Sequence, residues 1–187
     1  MRGRFIALGL VAALALAVAA LAGAAVFKGT SGNDTIIGTA GHDRIAALAG
    51  DDTVDAEAGN DRIYAGAGND RVLAGAGNDF VRGGPGDDTL SGGAGDDVLR
   101  GRRGNDTIDG GDGSDRIWVG SGADKEYGGD GNDRMHALAA DGQVDYVDCG
   151  PGDDVAFENA AEHDTFVGCE RVVKRTVTPQ QAAEDDQ

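Results

Sequence analysis

Residues 83–100 read GGPGDDTLSGGAGDDVLR. This is a tandem pair of nonapeptides, each of the form Gly-Gly-x-Gly-x-Asp-x-U-x with U a large apolar residue. Fixing the register on the Asp at position 6 and working outward gives twelve unbroken repeats. They start at Gly29, Gly38, Ala47, Ala56, Ala65, Ala74, Gly83, Gly92, Gly101, Gly110, Val119 and Gly128. Position 4 is Gly and position 6 is Asp in all twelve; position 8 is Ile, Val, Leu or Met in eleven, and Glu126 in the other. A fixed short period of this kind marks a repeat architecture in which each unit stacks on its neighbours.

Nine residues suffice for a short strand and a turn. Positions 7 to 9 predict a three-residue strand whose middle residue faces inward and whose neighbours face outward. Positions 1 to 6 predict the turn, where Gly permits positive φ and close backbone approach. Each turn sends the chain to a second sheet, so two nonapeptides complete one coil and coils stack as parallel strands about 4.8 Å apart. The expected fold is therefore all-β: a parallel β-roll, or β-solenoid, of two facing parallel sheets with an irregular C-terminal cap. Repeats alternate between two edges. Asp34, Asp52, Asp70, Asp88, Asp106 and Asp124 belong to one edge, and Asp43, Asp61, Asp79, Asp97, Asp115 and Asp133 to the other.

That alternation creates an electrostatic problem. Carboxylates one coil apart repel by roughly 3 kcal/mol per adjacent pair at an effective dielectric of 20. One buried U residue per repeat returns only roughly 1.5–3 kcal/mol. A hard divalent cation between coils would turn repulsion into attraction. Calcium takes six to eight carboxylate and carbonyl oxygens in flexible geometry, whereas magnesium wants a stricter octahedron. With 2 Cys and 3 His, the chain offers little to zinc. A calcium-free roll, its Asp side chains merely capping turns, is the alternative.

Over Gly29–His136 the chain resembles the hemolysin-type calcium-binding (RTX) repeat proteins. The resemblance implies a β-roll with several Ca2+ ions held in the turns by the position-6 Asp and by turn carbonyls. Carried over residue by residue, the near-consensus turns are those of Asp70, Asp79, Asp88, Asp97, Asp106 and Asp115, joined by Asp61 and Asp133. The carbonyls would come from near Gly66, Gly75, Gly83, Gly84, Gly92, Gly93, Gly110 and Gly111. Asp34, Asp43, Asp52 and Asp124 form a secondary set. Position 2 departs from Gly at Thr30, Thr39, Leu48, Glu57 and Arg102, and bulk there opposes the turn geometry at Asp34, Asp43, Asp52 and Asp61. Glu126, at an inward position, is expected to slip the register so that Tyr127 points in instead.

Composition sets the surroundings. A formal charge of −17 argues against nucleic acid as a partner and for a bound cation. Residues 1–24 read as a signal peptide, with Arg2 and Arg4 before an apolar run and small residues at Ala20, Ala22 and Ala24. An uncleaved membrane anchor is the alternative. Either way the chain is destined for the secreted, extracellular or cell-surface space, where calcium is plentiful and thiols oxidise. Residues 29–136 carry the repeats, and 137–177 a degenerate end with strand-like pieces at Val144–Val147, Val155–Phe157, Thr165–Val167 and Arg171–Val173. Cys149 and Cys169 read as a disulfide, stabilising the end by roughly 3 kcal/mol. Residues 178–187 read as a disordered acidic tail.

The two outer faces differ. One is expected to carry Arg44, Arg62, Arg82, Arg100, Arg116 and Arg134 with Tyr64, Phe80, Trp118 and His136. The other carries Thr35, Thr53, Thr89 and Thr107, interrupted by Arg71. The arginines serve either to offset nearby aspartates or to dock a cell-surface polysaccharide or protein. A flat Thr array for ice is spoiled by Arg71 and Lys125. No nucleophile motif, H-E-x-x-H or complete EF-hand is present, and the expectation is a non-enzymatic protein: a secreted repeat protein folding on calcium, or an adhesion or matrix protein in which calcium is only structural.

Overall fold

Each nonapeptide makes one strand and one turn, but the strand is longer than its three expected residues. Arg71–Ala76 is representative: Val72 and Ala74 face inward, while Arg71 and Leu73 face solvent. The strand therefore takes positions 7 to 9 and continues into positions 1 to 3 of the next repeat. Two positions per repeat line the core, not one. Position 8 supplies a row of large residues such as Val54, Ile63, Leu90 and Ile117, and position 1 a row of small ones such as Ala56, Ala65, Ala74 and Gly101.

The computed structural model describes residues 23–177 and the backbone of Ala15–Ala17. The signal segment and the acidic tail otherwise lie outside the described residues. Successive strands alternate between two nine-stranded parallel sheets. The first contains Ala15–Ala17, Thr35–Thr39, Thr53–Glu57, Arg71–Ala76, Thr89–Ala94, Thr107–Asp112, Lys125–Asp130, Tyr146–Asp148 and Thr165–Val167. The second contains Val26–Lys28, Arg44–Ala49, Arg62–Ala67, Phe80–Pro85, Val98–Arg103, Arg116–Ser121, Arg134–Ala137, Val155–Asn159 and Arg171–Arg175. Among the described residues there is no helix. Equivalent positions pair coil to coil, so Val54, Val72, Leu90 and Ile108 form one continuous inward column. The β-roll expected from the period is the fold observed.

The invariance of position 4 has a steric cause. Gly95 has φ of 129°, and a Cβ there would collide with the carbonyl of Gly77 one coil earlier. Position 2 is more forgiving. Leu48, Glu57 and Arg102 adopt φ of 90°, 69° and 98°. They are forced into the left-handed region by the glycine-built turns stacked on them, at a cost of order 1 kcal/mol each. Bulk at those positions strains the turn without breaking it.

Glu126 corrects an expectation. The register does not slip: Glu126 pairs with Ile108 and Val147 in the inward column and is fully buried, while Tyr127 stays outside against Tyr146. A one-residue slip would turn every neighbouring side chain to the opposite face. Retaining one buried carboxyl costs less. Neither of its oxygens has a well-aligned hydrogen-bond partner among the described residues; the nearby His136 backbone N–H offsets the burial only in small part. Burial first, then Asp145 and Asp124, holds its pKa well above the ordinary glutamate range.

Beyond position 137 the coils continue with irregular spacing. The strand expected at Val144–Val147 is Tyr146–Asp148, with Val144 exposed; the other three lie where expected, two of them extended. Cys149 and Cys169 form the disulfide, joining the last two coils of the first sheet.

Two measurements probe this packing. Leu48 is 42% exposed, so Leu48→Gly loses little burial and relieves the positive φ. It should stabilise the roll by about 1 kcal/mol in denaturant melts; destabilisation would show the turn is not strained. Glu126 favours the folded state fully below its unfolded pKa of about 4.3, and that contribution is lost as pH rises toward its elevated folded value. Glu126→Leu should therefore raise stability at neutral pH by about 1–3 kcal/mol and by less at pH 4. A lower neutral-pH melting point in the variant would overturn the buried-carboxyl account.

Candidate metal centre: two aspartate columns

The position-6 aspartates are 1–4% exposed, despite belonging to turns. They are drawn in because each closes a bond between coils. The Asp34 N–H donates to Asp52 Oδ1 at 2.7 Å, Asp52 to Asp70 at 2.8 Å, Asp70 to Asp88 at 2.9 Å and Asp88 to Asp106 at 2.8 Å. On the opposite edge Asp43, Asp61, Asp79, Asp97, Asp115 and Asp133 repeat the pattern at 2.7–2.8 Å. The two-edge assignment is thus what the structure contains, and Asp88 and Asp97 belong to separate columns.

The second oxygen is the notable one. Oδ2 of Asp52, Asp61, Asp70, Asp79, Asp88, Asp97, Asp106, Asp115 and Asp133 is buried and has no hydrogen-bond partner. Burial is the largest cause raising these pKa values, while the backbone donor one coil earlier opposes it. Asp61, Asp70, Asp115 and Asp133 are pushed up to about 6, Asp88 and Asp97 to about 7, and Asp106 to about 9. Among the described residues, no three carboxylate, imidazole or thiolate groups converge on one point. A cation here must therefore draw on main-chain oxygens.

Those oxygens are adjacent. A Cβ on Gly92 would collide both with Asp97 Oδ2 and with the Gly110 carbonyl of the next coil. The same cradle recurs beside Gly83, Gly101, Gly110 and Gly128, each bounded by its own Asp Oδ2 and a carbonyl from the following coil. Hard oxygen donors with one ionisable partner suit calcium. At Ala56, Ala65 and Ala74, position 1 already carries a methyl group beside Asp61, Asp70 and Asp79. The first two turns differ again. Thr30 and Thr39 donate both N–H and hydroxyl to Asp34 and Asp43, so these carboxylates are satisfied by protein.

Sequence reasoning missed two parts of this arrangement. The Asp columns continue past the regular repeats, Asp124 donating to Asp145, Asp145 to Asp164, Asp133 to Asp154 and Asp154 to Glu170. The available signal is an acidic residue two before an apolar one, as in Asp145 before Val147 and Asp154 before Ala156. Position 5, treated as variable, forms its own ladder in the opposite sense. Asn33, Asp51, Asn69 and Asp87 each accept the N–H of position 5 in the next coil, as does His42 through Nδ1. The recurrence of Asn, Asp and His there is the clue. Asp124, by contrast, stands on the edge that the period assigns it, in register beside Glu126.

Residues 28–144 match the family model of the RTX calcium-binding nonapeptide repeat (4 copies), in overlapping segments 28–63, 46–81, 56–90, 64–99, 91–126 and 109–144. A search of curated proteins finds no match. The matched span covers well over half the chain and coincides with the coils that carry the aspartate columns and glycine cradles; the protein belongs to the family of RTX calcium-binding nonapeptide repeat proteins.

Proposed function

We propose that this is a secreted, non-enzymatic protein whose β-roll folds when Ca2+ binds along its two aspartate columns. The observation that carries the reading is the run of buried, partnerless Oδ2 atoms, spaced one coil apart on both edges. A carboxylate in that position is tolerable only if protonated or bound to a cation. At low calcium and neutral pH, Asp61, Asp70, Asp115 and Asp133, pushed up only to about 6, meet neither condition. At millimolar extracellular calcium the second does. Secretion is supported by the N-terminal segment and by the disulfide, which suits an oxidising compartment. If the signal is removed, Ala15–Ala17 leaves with it and Thr35–Thr39 becomes the edge strand of its sheet.

Asp88, Asp97, Asp106, Asp115 and Asp133 are the leading calcium ligands, because their cradles are open. Asp61, Asp70 and Asp79 follow, their cradles narrowed by Ala, together with Asp52 and Asp124. Asp34 and Asp43 are assigned a structural role, satisfied by threonine.

Far-UV circular dichroism of the full chain should show little strand signal in chelator at pH 8 and a full strand signal after calcium. Identical spectra and melting points in both would falsify the coupling. The pH dependence has a definite sign. The aspartates' raised folded pKa values stabilise the calcium-free roll below the unfolded value near 4, and this stability is lost as pH climbs through about 6 to about 9. Acidification in chelator should therefore restore strand signal, and calcium affinity should rise with pH as protons are displaced. A calcium-free roll that grows more stable between pH 5 and 8 would count against the site. Gly92→Ala offers a finer test, since Ala is accepted at the same position in four other turns. It should fold in calcium yet bind fewer ions by calorimetry; an unchanged ion count would remove the cradle from the site.

A further inference from the structure

The outer face of the second sheet has no role in the calcium reading. Its outward positions, 7 and 9, carry no Asp or Glu in any strand from Val26–Lys28 to Arg171–Arg175. This is notable in a chain of formal charge −17. The first sheet's outer face, by contrast, mixes Asp55, Asp109 and Asp148 with Arg71 and Lys125. Six consecutive coils of the second sheet each place one arginine outside: Arg44, Arg62, Arg82, Arg100, Arg116 and Arg134. Of these, Arg44, Arg62, Arg116 and Arg134 are exposed and form no ion pair among the described residues.

The aromatic side chains hold this face rigid. Trp118 stacks on His136 at 4.7 Å and His136 on Phe157 at 4.6 Å, while Arg100 lies 5.0 Å over Trp118. Burial, with Arg175, Arg134 and Arg100 nearby, lowers the His136 pKa to about 4, so the ring stays neutral within the stack. The ring faces are used against each other, leaving the cations rather than the rings to meet a partner.

We propose that this face binds an extended anionic polysaccharide of 1→4-linked hexuronate residues, lying along the roll axis with its carboxylates against the arginines. Charge complementarity and geometry select this partner. The exposed cations come as two pairs in adjacent coils, Arg44 with Arg62 and Arg116 with Arg134, with the half-buried Arg82 and Arg100 between them. Within each pair the step is about 4.8 Å, comparable to the advance of a chain by one pyranose ring. Arginine pairs with carboxylate in bidentate fashion. A planar anionic surface, such as a membrane, would also press on the acidic turns at both margins, where Asp51, Asp87 and Asp96 are exposed. A single strand touches only the basic strip.

The proposal rests on the calcium reading only in needing a folded roll, so folding and binding are measured separately. The probe is α-1,4-linked hexagalacturonate, too short to gel with calcium, titrated into the full chain at saturating calcium, with its fully methyl-esterified form as the neutral control. The parent should bind the acid at least tenfold more tightly than the ester, and the preference should weaken with salt. Arg44→Ser, Arg62→Ser, Arg116→Ser and Arg134→Ser combined should reduce binding at least tenfold, with the calcium-induced circular dichroism change intact. Arg71→Ser with Lys125→Ser, on the opposite face, should bind like the parent. Equal binding of acid and ester, or undiminished binding by the fourfold variant, would overturn the proposal. So would binding to anionic lipid vesicles in preference to the hexamer, or self-association that the fourfold variant abolishes. A chain that fails to fold in calcium fails the earlier reading, visible in circular dichroism before any sugar is added.

Discussion

Everything in this roll depends on one bond repeated along two edges: a backbone N–H of one aspartate donating to the Oδ1 of the aspartate one coil further on. It spans 18 residues at each step of the regular repeats, and it satisfies a buried donor that the sheet ladder cannot reach. The bond fixes which coil sits above which. The position-5 ladder runs the other way, each side chain accepting from the following coil. Every turn is thereby tied both upward and downward by side chains two atoms long. Such short side chains leave no slack, which is why the spacing between coils is uniform despite a thin core.

That tie has an electrostatic consequence. Holding Oδ1 against a backbone donor turns Oδ2 inward, into a space bounded by the position-1 backbone and a carbonyl of the next coil. The inner row beside it is Gly and Ala in every regular repeat but that of Val119, so few apolar atoms compensate. Asp106, pushed up to about 9, carries the highest of the aspartate values, with burial first and Asp124 and Asp88 adding to it. The second oxygen is the atom of the tie that the described protein groups leave unmet.

The period exposed the fold because its glycines are obligatory. From Gly41 onward, position 4 cannot carry a Cβ without striking the backbone one coil earlier, so the sequence records each coil contact as an invariant residue. Position 1 leaves no comparable trace. Gly and Ala at an inward position look like turn residues, which is why the strands ran longer than their apolar pattern. Glu126 misled for the opposite reason. Its burial cost is local, whereas a slip would have broken the bonds linking Asp106, Asp124 and Asp145 on either side of it. Cooperative register outweighed one unfavourable side chain. The continuation of the acidic columns into the C-terminal coils escaped notice because their acidic residues recur after 21, 19 or 16 residues instead of 18.

The N-terminal end of the roll solves the same oxygen problem without a cation, whereas Asp154 and Asp164 at the other end keep a buried Oδ2 that meets no donor among the described residues. At the N-terminal end, Thr30 and Thr39 stand where later turns carry Gly, and their N–H and hydroxyl groups surround Asp34 and Asp43. The side chain that spoils the glycine consensus supplies the donors that the consensus turn lacks. At the C-terminal end the Cys149–Cys169 disulfide and the Lys174–Glu158 ion pair, at 2.9 Å, secure the last coils. Glycine cradles occupy the stretch from Gly83 to Asp133. Threonine thus confines self-sufficiency to the first turn on each edge, and from Asp52 to Asp115 the regular turns repeat the same unmet Oδ2. The arginine strip spans both kinds of turn, starting at Arg44 beside the satisfied Asp43 and ending at Arg134 beside Asp133, whose Oδ2 is unpartnered.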